Sequence, residues 1–81
     1  MPKIKWEKLP RQLYKHLALR AAERKVSTED LIRLDQWKQS GPVAPAGKWW
    51  KDFGTFKLAG EDEFARTFLE PGQAVEGEEI D

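Results

Sequence analysis

Seven residues near the middle of the chain, Gly41-Pro42-Val43-Ala44-Pro45-Ala46-Gly47, include two prolines and two glycines and cannot continue a helix or a strand. Any fold must therefore join two unlike parts at this point. The charge changes sign at the same place. Residues 1–40 carry 10 Lys or Arg against 5 Asp or Glu, residues 41–81 carry 4 against 9, and the formal net charge of +0 conceals the difference. A basic segment can hold phosphate, whereas an acidic one repels it. The chain divides into a basic unit at 1–40, a linker at 41–48 and an aromatic, acidic unit at 49–81, which can still pack together as one compact domain.

A length of 81 residues allows only one small core. The absence of Cys excludes disulfide staples and thiolate metal sites. No signal-peptide pattern or long apolar run is present, so the expectation is a cytoplasmic protein without a membrane span, and bacterial cytoplasm suits it. Charged residues make up 35% of the chain, but four Trp, four Phe and one Tyr are too many aromatics for a fully disordered sequence.

The predicted class is α+β. In the first nine residues Ile4 and Trp6 alternate with Lys3, Lys5 and Glu7, the period of a short strand with one polar face. Pro10 suits the first turn of a helix over about 10–25, whose stripe Leu13, Leu17 and Ala21, flanked by Tyr14 and Ala18, faces a core. A second helix over about 27–40 starts at Ser27, which can accept from the Asp30 amide, with Val26 and Leu31 placed as a hydrophobic staple. Leu31, Leu34 and Trp37 form its stripe, Ile32 widens it, and Gly41-Pro42 ends it. Beyond the linker, residues 49–58 and 64–69 predict an antiparallel hairpin with the five-residue loop Ala59-Gly60-Glu61-Asp62-Glu63, and Gly54 marks a bulge or close approach. Residues 71–81 are acid-rich and predict a tail that is frayed or orders on a partner.

No set of residues carries a recognised catalytic, metal or cofactor pattern. His16 has no local nucleophile or orienting carboxylate, the acids Glu61, Asp62 and Glu63 lack the spacing of a calcium loop, and the glycines match no phosphate-binding fingerprint. The aromatics Trp49, Trp50, Phe53, Phe56, Phe64 and Phe68 admit three roles. They can form the core of the hairpin, anchor a protein partner through Trp49, Trp50, Phe53 and Phe56, or stack on unpaired bases beside Lys48, Lys51, Lys57 and Arg66.

The run Lys3-Ile4-Lys5-Trp6-Glu7, then Leu9-Pro10-Arg11-Gln12-Leu13, Leu19-Arg20-Ala21-Ala22-Glu23-Arg24 and Ser27-Thr28-Glu29-Asp30 resembles the ribbon-helix-helix proteins of the Arc and MetJ type found in bacterial antitoxins. The likeness covers about residues 2–38. It implies a homodimer whose paired strands enter the major groove of duplex DNA, with Lys3, Lys5 and Glu7 outward, Arg11 in the basic patch, and the amides near Ser27 and Thr28 on phosphate. Lys25 stands where the family usually has Gly, and Glu7 places a negative charge on the DNA face.

Three readings follow. The first is a DNA-binding transcriptional regulator, an antitoxin if its acidic half, residues 49–81, wraps a basic protein. The second is a compact monomeric α+β protein-interaction module without DNA binding. The third is a small ribonuclease of the toxin kind, for which Arg66 and His16 are the distinctive candidates. The expectation is no enzyme and no cofactor.

Overall fold

The computed structural model describes residues 2–80. Two helices, α1 (Arg11–Ala22) and α2 (Thr28–Gln39), precede four strands, β1 (Lys48–Asp52), β2 (Lys57–Glu61), β3 (Phe64–Leu69) and β4 (Glu78–Glu79). The strands form one mixed sheet in the order β3-β2-β1-β4. The protein is a small α+β fold.

Local signals explain the helix ends. Pro10 is the N-cap of α1 with extended backbone, one position before the helical turn in which the sequence places it. The helix stops at Ala22 because Arg24 takes a left-handed conformation, φ 64°. Arg24 N–H donates to Ala21 O at 3.0 Å and Lys25 N–H to Arg20 O at 2.8 Å, the paired bonds of a Schellman ending. Arg24 thus fills the position that usually goes to Gly, and buried Val26 closes the turn. Ser27 caps α2 by accepting from the Glu29 amide at 3.2 Å rather than from the Asp30 amide. Ile32 is 52% exposed and does not widen the apolar stripe.

The core lies between the helices and the inner face of the sheet. Its buried members are Leu17, Leu34, Trp49, Phe53, Phe56, Leu58 and Ala65, with Ile4, Val26 and Ala44 from the connecting segments. Six rings form one continuous chain of contacts: Trp6–Trp37 at 5.8 Å, Trp37–Phe53 at 5.9 Å, Phe53–Phe56 at 5.1 Å, Phe56–Phe68 at 5.7 Å and Phe68–Tyr14 at 5.6 Å. This chain ties the N-terminal segment to α2, the β1–β2 turn, β3 and α1. All of these ring pairs except the offset stack of Phe53 on Phe56 are edge-on, the geometries aromatic quadrupoles favour.

The sheet differs from the predicted hairpin in three ways. The run 49–58 is two strands, not one, because Asp52 Oδ1 accepts from Gly54 N–H at 2.7 Å and Gly54 adopts φ 105°. Gly54 therefore sits in a turn rather than a bulge, and it makes the close approach the sequence offers as the alternative, since a β-carbon there would lie 3.0 Å from Asp30 Oδ2. The β2–β3 loop is Asp62-Glu63 instead of five residues, and the bulge lies between Ala59 and Gly60, opposite Arg66. Gly60 belongs to β2, paired with Trp49 and Ala65, and must be glycine because the Trp49 indole packs where a β-carbon would be. The tail is ordered: β4 runs parallel to β1, with Glu78 opposite Trp49 and Glu79 opposite Trp50.

The predicted first strand is reduced to two isolated bridges, Lys3 with Val43 and Lys5 with Phe64. The linker forms part of the same body. Ala44 is fully buried, Val43 pairs with Lys3, and Gly47 exchanges hydrogen bonds with Asp62.

Candidate nucleic-acid interface

Alternation sends Trp49, Leu58, Gly60 and Ala65 inward and leaves Lys48, Trp50, Lys57, Ala59, Glu61 and Phe64 on the outer face. Lys5 bridges to Phe64 and so extends this face along its β3 edge. Three cations gather on the half-buried Phe64 ring: Lys8 Nζ at 4.9 Å, Lys5 Nζ at 5.9 Å and Arg66 Cζ at 6.0 Å from the centroid. The bulge frees Arg66 from strand pairing, and such bulges commonly re-aim a side chain. Lys57 Nζ lies 5.3 Å from the Trp50 centroid, giving a second cation-aromatic pair on the same face. Glu63 offsets part of the charge through Lys5 at 3.3 Å.

The sequence-predicted residues divide. Lys3, Lys5, Glu7 and Arg11 are exposed, and Lys5 joins the Phe64 cluster. The segment that carries them is hydrogen-bonded within the chain on both sides. Ile4 N–H donates to Pro42 O and Ala44 N–H to Pro2 O on one side, and Lys5 N–H donates to Glu63 O and Ala65 N–H to Lys5 O on the other. A ribbon shared with a second copy would have to break one of these sets. Ser27 N–H donates to Thr55 Oγ1 at 2.9 Å, so the amide expected on phosphate is taken; Thr28 is exposed at the start of α2. Of the four expected partner anchors, Trp49, Phe53 and Phe56 are core residues with 0–1% exposure. Only Trp50 reaches the surface. The sequence offers Arg66 as a cation beside base-stacking aromatics and as a ribonuclease candidate; its place at Phe64 depends on the bulge, which the sequence does not announce.

Asp30 occupies the space at the start of α2. Its Oδ2 accepts from the Thr55 hydroxyl at 2.6 Å and the Thr55 amide at 2.9 Å, and Arg33 approaches Oδ1 at 3.4 Å. Burial alone would raise its pKa, but the Thr55 bonds and Arg33 outweigh burial and hold the carboxyl below its ordinary 3.8. This carboxylate fastens α2 to the β1–β2 turn and repels an incoming phosphate. On the outer face, Lys48 Nζ donates to Glu76 Oε2 at 2.7 Å. That bond raises the Lys48 pKa and lowers the Glu76 pKa.

No group of three or more His, Cys, Asp or Glu that could hold a metal comes together among the described residues, and no helix is long and apolar enough to cross a membrane. His16 is exposed on α1. The chain matches no family model, no curated protein and no solved structure.

Proposed function

We propose that the protein is a small nucleic-acid-binding regulator that acts as a monomer and takes an unpaired strand on the outer face of its sheet. The observation that carries this reading is the convergence of Lys5, Lys8 and Arg66 on the exposed part of Phe64. A base stacking on that ring displaces the cations towards the flanking phosphates, so ring and charges act together. Stacking of this kind contributes about 1–3 kcal/mol per base and tolerates any sequence. An unpaired strand is favoured over a duplex because the N-terminal segment is engaged on both sides and the Ser27 amide is occupied.

The test combines sedimentation with fluorescence anisotropy, using single-stranded RNA, single-stranded DNA and duplex DNA as probes at low salt. The expected result is a monomer that binds a single strand and loses affinity steeply as salt rises. Binding to none of the three probes contradicts it.

A second reading keeps the ribbon-helix-helix antitoxin, favoured by the outward placement of Lys3 and Lys5 on one extended segment. It requires residues 2–5 to leave their internal partners. A dimer that prefers duplex DNA in the same experiment would replace the first reading with this one.

A further inference from the structure

The tail leaves β3 at one edge of the sheet and joins β1 at the other, so residues 70–77 must pass across the sheet. Ala74, Val75 and Glu76 line a shallow cavity of about 260 Å³ together with Lys48, Arg66 and Leu69, which places the crossing on the outer face beside the Phe64 cluster. Three contacts anchor it. Glu76 pairs with Lys48 at 2.7 Å, β4 pairs two residues with β1, and Ile80 N–H donates to Trp50 O at 2.8 Å while its side chain packs on the core. Gly77 is required at the bend: its φ is +96°, and a β-carbon there would run into the Lys48 carbonyl.

We propose that this acidic tail is an internal competitor for the strand-binding face. When docked, it places the Glu76 carboxylate on Lys48, where a phosphate would otherwise sit. When released, it frees Lys48 and uncovers the outer face around Ala59 and Glu61, extending the Phe64 platform towards Trp50 across roughly two strand spacings, about 10 Å. The anchors suit a reversible contact, because the ion pair lies in open water and the added strand is two residues long. The tail thereby gives the acidic half a role towards the basic one within a single chain. This inference rests on the single-strand reading above.

Gly77→Val in the full chain blocks docking at the Lys48 carbonyl and leaves Lys5, Lys8, Phe64 and Arg66 in place. Ile80→Asp provides a second release by charging a partly buried site. Exchange of the Ile80 amide reports whether the tail has left β1. Both variants are expected to bind a single-stranded oligonucleotide about fivefold more tightly at low salt, with the slope of log K against log salt steeper by about 0.7 for the one phosphate contact that Lys48 gains. Gly72→Ala adds a methyl where nothing lies within 4 Å and is expected to match the wild type. Unchanged affinity and slope with a rapidly exchanging Ile80 amide would overturn the competitor role and leave the single-strand reading standing. No binding by wild type and variants alike would overturn the single-strand reading itself.

Discussion

On the inner side of the molecule Asp30 is 7% exposed and fixed by Thr55, while on the outer side Lys48 and Glu76 meet in open water with side chains 56% and 77% exposed. Both sites join distant parts of the chain through a carboxylate. They differ in what solvent does to them. Removing a partner from Asp30 strands a charge away from water, whereas removing one from Lys48 returns a charge to water. The inner contact therefore sets stability, and the outer one can open without unfolding the protein.

Changes to the ring chain should have the largest effect. Phe56→Ala removes a fully buried ring with contacts to Phe53 and Phe68, and is expected to cost about 3–5 kcal/mol, enough to unfold a domain of this size; chemical denaturation measures it. An effect as small as that of a surface substitution would show that the inner side is not the stabilising one.

Asp30→Ala comes next. It leaves the Thr55 amide and hydroxyl without their acceptor and is expected to cost about 2 kcal/mol in the same measurement. Its pH dependence sharpens the comparison. The folded pKa lies below the ordinary 3.8, so the Asp30 contribution is fully present above that value and is lost as pH falls through the folded pKa. Wild type should lose this increment below about pH 4, and Asp30→Asn should lack it.

A smaller change of opposite sign is expected at the end of α1. Arg24→Gly relieves a left-handed residue while keeping both Schellman bonds, and should stabilise by about 1 kcal/mol. Glu76→Gln should have the smallest effect of the four, leaving Tm within error of wild type because its ion pair is exposed. A clear fall in Tm for that variant would make the outer contact structural and remove the basis of the comparison.

The sequence makes the helices legible because periodicity and caps are local. Leu17 and Leu34 do what their spacing predicts, and Ser27 caps α2 as expected but through the Glu29 amide, one residue earlier. The sheet was harder to read because its boundaries depend on partners far along the chain. Gly60 looks like a loop residue until the Trp49 indole is seen to fill its face, and Asp52-Phe53-Gly54 looks like part of one strand until the Asp52 side chain turns it. Tail composition predicts fraying, yet Gly77 and Glu76 find Lys48 about 28 residues away. At the candidate site Lys5 was legible from strand alternation, while Phe64 and Arg66 came together only through the bridge to Lys5 and the bulge.

The central claim is that the outer face holds an unpaired strand through the Phe64 ring. Phe64→Leu keeps an apolar side chain at that position and removes the stacking surface. Affinity for a single-stranded oligonucleotide at fixed low salt is predicted to fall about tenfold, from the loss of one stacked base, with Tm nearly unchanged. Wild-type affinity in Phe64→Leu would contradict the account.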